Sequence, residues 1–292
     1  MATQLEELPT VSIRRFREAV EKIEDFHTRV KVQTGYLLAA RLSEISQKVT
    51  AWDFLRNASK PYGLFMKCKL GDFVMTPSEN PALKETITQK ALVITMAVAK
   101  RGKRITKKKR DTLKEDDKVT GINPQEIETT LLRYGQGEVL EKWKKGEVQI
   151  DPLLIEALQG RIHYKAVALP CTTVCEPWTL DLLRYLKEVE MDHLSFNLTR
   201  ERLRQIYREN LKDILPPPHK RMLKNILRHY RISHLVEYYG FNAAQVTNYV
   251  GWTFKYAFGQ LGVQGSSNID YYLHLSWKSY FYNLLKPISM MT

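Results

Sequence analysis

The stretch Asn225-Ile226-Leu227-Arg228-His229-Tyr230-Arg231-Ile232-Ser233-His234-Leu235 places an arginine at the start of an amphipathic helix, and Tyr271-Tyr272-Leu273-His274-Leu275-Ser276 follows further along the chain. An arginine that can hold a phosphate and a tyrosine that can attack it are two parts of a metal-free strand-transfer site. The apolar residues of the first stretch recur at helical spacing. Working outward from it, helices extend to the C-terminus, while the only β-rich segments lie upstream.

Downstream, Asn242-Ala243-Ala244-Gln245 is an N-cap with its return partner, opening a helix that closes at Gly251. Upstream, Pro216-Pro217-Pro218 ends a preceding helix. Thr199 caps a helix over residues 200–211, and Thr179 is expected to cap one over 180–189. At the N-terminal end, Val11, Ile13, Phe16, Val20, Ile23 and Phe26 predict one amphipathic helix over 11–30. A second is expected over 34–49, with Leu37, Leu38, Arg41, Ile45 and Val49 sharing roughly one face.

Residues 63–75 and 86–99 are rich in β-formers and read as strands, as does the alternating segment 161–170, which is expected to pair with the strand ending near Ala99. Between them lies a basic turn, residues 100–110, with eight Lys or Arg in eleven positions. After it comes a lobe of short helices near 124–134, 138–145 and 152–158. The fold class is therefore mostly α with a small antiparallel β-sheet (α+β). We expect a single domain over 1–292 with an inserted lobe at about 105–160.

The chain has 292 residues and 43% hydrophobic content, ample for a packed core. Its 45 Lys and Arg against 32 Asp and Glu give a formal charge of +13, which favours a polyanionic partner such as nucleic acid. Three cysteines, Cys68, Cys171 and Cys175, form neither an even disulfide framework nor paired zinc knuckles. The longest apolar run, Ala91 to Ala99, is too short to span a bilayer. A soluble, cytoplasmic and nucleoid-associated protein without cofactor or metal is the expectation.

Four segments resemble, in order, the motifs of tyrosine recombinases, the phage and archaeal integrases. Leu38-Ala39-Ala40-Arg41-Leu42-Ser43-Glu44-Ile45 is similar to the first arginine motif, and Leu227-Arg228-His229 with Ser233-His234-Leu235 to the second. Val250-Gly251-Trp252-Thr253 resembles the third, and Tyr272-Leu273-His274-Leu275-Ser276 the nucleophile motif. The segment 194–203 resembles the one that precedes the second motif, so the likeness covers roughly 34–285.

The resemblance implies a single catalytic domain over 1–292, with no separate N-terminal DNA-clamping domain, that cleaves and rejoins double-stranded DNA through a 3′-phosphotyrosine link, with a tetramer of protomers on DNA. Tyr272 would be the nucleophile and Arg41 and Arg228 the clamp on the crowded phosphorane. Lys100, on the turn after the strand, would protonate the departing 5′ oxygen, with Lys103 next in line. Trp252 would donate its indole N–H and pack the tyrosine helix. Glu44 reads as a buttress for an arginine, since a carboxylate beside a phosphate repels it. Lys103, Arg104, Lys107 and Lys108 would contact the DNA backbone, and Trp277 to Leu285 are apolar enough to dock on a neighbour.

Three features depart from the pattern. Asn225 stands where His or Lys is common and can only position phosphate by hydrogen bonding. Trp252 and Tyr272 lie farther apart than usual, and so do Arg41 and Arg228. Two other readings follow: a type IB topoisomerase-like relaxing activity with the same chemistry, or a catalytically degenerate DNA-binding protein of the same fold.

Overall fold

The computed structural model describes residues 11–46, 66–81, 83–98, 124–133, 135–147, 150, 164–190, 194, 196, 198–215, 225–251 and 277–291. It shows helices around a three-stranded antiparallel sheet, as the hydrophobic patterning predicts. Among these residues no helix is long and apolar enough to cross a membrane.

The expected N-terminal helix is two. Helix α1 (Ile13–Glu21) is capped by Ser12, and α2 (Phe26–Leu37) starts anew at Asp25, whose carboxylate accepts from the Thr28 N–H at 2.6 Å. A carboxylate that can cap a fresh helix competes with helix continuation, and apolar spacing alone does not register this. Helix α2 is central: every residue from Val32 to Leu37 is buried. It crosses α7 (Arg200–Asn210) at Gly35, where an added Cβ would collide with the Tyr207 hydroxyl.

The second expected helix, over 34–49, is also corrected. Helix α2 ends at Leu37, and a short α3 (Leu42–Ile45) begins after Arg41, which is extended at φ −76° and ψ 151°. The α2 end is a Schellman turn: Ala40 N–H donates to Gly35 O at 3.1 Å and Ala39 N–H to Tyr36 O at 2.8 Å. Its left-handed residue is Ala39, at φ +44°, not the glycine that normally announces such an end.

Strand β1 (Met66–Met75) pairs with β2 (Ile87–Ala97), and β2 with β3 (Tyr164–Pro170), both antiparallel. The pairing of β3 with β2 sets Ile94 opposite Val167 and Met96 opposite Lys165. One sheet face, with Met66, Leu92, Ile94, Met96, Val167 and Leu169, joins the helical core. The other, with Phe73, Ala91, Val93 and Ala168, is closed by Phe281 on the C-terminal helix.

Helices α4 (Pro124–Arg133) and α5 (Gly137–Lys144) belong to the insertion between β2 and β3. Its third expected helix, 152–158, and the proline run lie outside the described residues. Helix α6 (Trp178–Glu188) starts one residue after Pro177, so Thr179 sits buried inside it rather than at its cap. Thr199 does cap α7, accepting from Arg202 N–H at 3.2 Å. Helix α8 (Ile226–Glu237) is followed by α9 (Ala243–Val250), whose capping box joins Asn242 and Gln245 as the sequence indicates.

The last helix, α10 (Lys278–Phe281), runs into a 3₁₀ turn at Tyr282–Leu285. The apolar residues expected to dock on a neighbour are used on this chain's own sheet. Phe281 stacks on Phe73 at 4.6 Å between ring centroids, and the Tyr280 hydroxyl donates to Ala166 O at 2.9 Å.

A buried polar assembly ties α1, α8 and α9 to the segment just ahead of α6. The Glu176 carboxylate pairs with Arg17 and, at 3.2 Å, with Arg231, and it accepts from the Tyr239 hydroxyl at 3.2 Å. Beside it, His234 Nε2 donates to Val11 O at 2.6 Å while Nδ1 accepts from the Tyr36 hydroxyl at 2.8 Å, the neutral tautomer. Burial pushes His234 down to about 4. The unfolded chain takes up a proton at ordinary histidine values and the folded chain does not, so stability declines as pH falls from about 6.5 towards 4. His234→Asn should flatten that acid slope in urea midpoints measured across the same window.

Gly251 closes α9 in the left-handed conformation at φ +74°, and a Cβ there would meet Val98 Cγ2 at 2.8 Å. Gly251→Ala should therefore cost about 1–2 kcal/mol from backbone conformation alone. Urea unfolding at unchanged slope would measure it.

Candidate functional site

The C-terminal turn of α2 leaves carbonyls without intrahelical partners, and that end of a helix carries partial negative charge. Three consecutive carbonyls there are met by side chains from three distant elements. Tyr249 of α9 donates to Leu37 O, Lys165 of β3 to Leu38 O at 2.6 Å, and Arg228 of α8 to Ala39 O at 2.8 Å. Arg228 also donates to Val250 O at 3.4 Å, at the last turn of α9.

Immediately after this turn, Arg41 leads into α3. Its backbone N–H donates to Glu44 Oε2 at 2.8 Å and its guanidinium to Glu44 Oε1 at 2.9 Å. The same carboxylate forms an ion pair with Arg228 at 3.7 Å. Glu44 is fully buried, the Arg228 side chain is 6% exposed, and the Arg41 side chain is 32% exposed. The cluster thus opens to solvent through Arg41.

The electrostatics follow from burial. Desolvation alone would raise the Glu44 carboxyl, but Lys165, Arg228 and Arg41 outweigh it and hold the group below its ordinary value. Lys165 is pushed down to about 7, chiefly by burial and further by Arg228 and Arg41, against the opposing pull of Glu44. Two permanent guanidinium charges and an ammonium poised near neutrality face one carboxylate. Such a set can hold a doubly charged or charge-accumulating anion at Arg41.

Of the residues expected from the sequence, Arg41 and Arg228 meet at Glu44, although 187 positions separate them. Asn225 is the exposed residue preceding α8 and makes no side-chain cap bond. Lys100, Trp252 and Tyr272, and with them Lys103, Arg104, Lys107 and Lys108, lie outside the described residues. Gly251, the residue before Trp252, packs against the Lys165 side chain.

Lys165 is the member that sequence reasoning missed. The signal was present: within 161–170 it alternates with Val167 and Leu169, so the register puts a charge on the core-facing side of a strand. Tyr249 carried no comparable signal. No family model, curated protein or solved structure matches the chain. Among the described residues no group of three or more His, Cys, Asp or Glu is placed to hold a metal ion.

Lys165 should titrate with a midpoint near 7, read from its side-chain carbon resonances. Glu44→Gln removes a neighbouring charge that favours the ammonium and should move that midpoint lower. A midpoint unchanged from an ordinary lysine would contradict the buried placement.

Proposed function

We propose that this chain is a DNA strand transferase of the tyrosine recombinase type, cutting and rejoining double-stranded DNA without metal or cofactor. The observation that supports it is the meeting of Arg41 and Arg228 on buried Glu44, with Lys165 beside them and the α9 end leading into Trp252. Arginines from two distant motifs, held in register by one carboxylate, match what a phosphodiester clamp requires.

In this reading Arg41 meets the phosphate from the solvent side and Arg228 backs it. The Tyr272 oxygen attacks phosphorus, a P–O bond to tyrosine forms, and the bond to the 5′ oxygen breaks. Lys100, which follows β2 in the sequence, would supply the proton that the departing 5′ oxygen takes up, while buried Lys165 stays on Leu38 O and supports the clamp from behind. The phenolic proton of Tyr272 leaves to water, since Asn225 cannot accept it. Rejoining is the reverse, with the phosphotyrosine conserving the bond energy.

The basic turn at 100–110 would track the DNA backbone, and recombination would engage several protomers at a synapse. Asn225 favours a second reading, a protein of this type that binds DNA without cutting it.

A nicked suicide duplex separates the two. The wild type should accumulate a covalent protein–DNA adduct and Tyr272→Phe none. Arg228→Ala should slow adduct formation by about 100-fold or more. Lys100→Ala should be slow on ordinary DNA yet recover on DNA whose leaving 5′ oxygen is replaced by sulfur, which departs without a proton. Steep loss of binding with rising salt but no adduct under any condition would establish the binder.

A further inference from the structure

Helix α9 has a single hydroxyl-bearing ring at its centre of contacts. Tyr249 is fully buried, in edge contact with Tyr280 at 5.2 Å and Phe241 at 5.8 Å between centroids. Those contacts would be kept by phenylalanine. What the hydroxyl adds is directional. It accepts from Arg231 Nη2 at 3.1 Å and Nε at 3.3 Å, and donates to Leu37 O. Burial raises the phenol to about 12 despite Arg231, so it remains a donor at every physiological pH.

The two partners and the turn that follows Tyr249 belong to different parts of the site. Leu37 O is the last carbonyl of α2, followed on the turn by the acceptors of Lys165 and Arg228. Arg231 lies three residues beyond Arg228 on α8 and is anchored on Glu176. The next residue after Tyr249, Val250, accepts from Arg228, and Gly251 then rests on Lys165. One oxygen therefore links the helix that presents the clamp's seats, the helix that carries its second arginine, and the turn that touches its lysine.

We propose that Tyr249 is a positioning residue, its hydroxyl locking the C-terminal end of α9 against the α2 carbonyls so that Arg228 and Lys165 are held in one geometry relative to Arg41. It touches no DNA and acts through those three groups. Phenylalanine would fill the same space, so what the hydroxyl alone contributes is the link between the Arg231 guanidinium and the helix-end carbonyl. The proposal rests on the strand-transfer reading above.

The test compares Tyr249→Phe with Tyr230→Phe, which removes another buried hydroxyl, bonded to Ile214 O at 2.7 Å and remote from the three carbonyls. Single-turnover cleavage of the suicide duplex at saturating protein, the DNA dissociation constant and the thermal midpoint are measured for each. Tyr249→Phe should cleave about 10–100-fold more slowly, the scale of a small misplacement of reacting groups, with DNA affinity unchanged. Its thermal midpoint should fall no further than that of Tyr230→Phe, which should cleave at the wild-type rate. Wild-type cleavage in Tyr249→Phe overturns the proposal. So does a loss of rate that follows lost affinity or lost folded fraction, or one shared equally by Tyr230→Phe. If the wild type itself forms no adduct, the strand-transfer reading has failed and the positioning role falls with it.

Discussion

Three carbonyl oxygens at the end of one buried helix organise the molecule. A helix C-terminus must find donors for its last carbonyls, and in a dry core water is not on hand to supply them. Here a phenol, an ammonium and a guanidinium do so, from α9, β3 and α8. The partial negative charge of the helix end favours the two cations, which in turn are brought within reach of Glu44. The turn that makes this possible puts Ala39 in the left-handed region, a conformation that costs a non-glycine residue about 1 kcal/mol or more.

Two arginine–carboxylate assemblies share the interior, and their exposure separates them. Arg17, Glu176 and Arg231 are all buried, packed with Tyr36, Tyr239 and Tyr249. Closed on every side, that assembly ties helices together and fixes their register, a role for which breaking the pair would be costly. Around Glu44 the arrangement differs in one residue: Arg41 reaches solvent. The same chemistry thus serves as scaffold where it is sealed and as a candidate anion site where it opens. Arg231 and Arg228, one turn apart on α8, place one cation in each.

The sheet has helices or aromatic side chains on both faces, and its two sides do different work. The inner face delivers Lys165 to the cluster because its register alternates with Val167 and Leu169. The outer face is sealed by Phe281, with Trp277 packed against the same patch, so the C-terminal segment stabilises the strand that carries the lysine. The insertion between β2 and β3 adds α4 and α5 without disturbing the pairing of those strands, as expected when a loop lengthens at a small entropic cost.

Local pattern determined the α+β class, the three strands, the Asn242–Gln245 capping box and the helix that carries Arg228, because each depends on neighbours within a few residues; it anticipated that β3 pairs with β2 and left the partner of β1 open. The resemblance to recombinase motifs singled out Arg41, Glu44 and Arg228 without showing that one carboxylate holds both arginines. Local pattern misplaced the first helices, since Asp25 and the left-handed Ala39 break what apolar spacing would continue. It overlooked Lys165 and Tyr249, whose significance lies in the carbonyls they reach across more than a hundred residues of chain. Only tertiary structure decides such matters: burial sets the charge state of a lysine, and burial is a property of what packs around it, not of its position in the sequence.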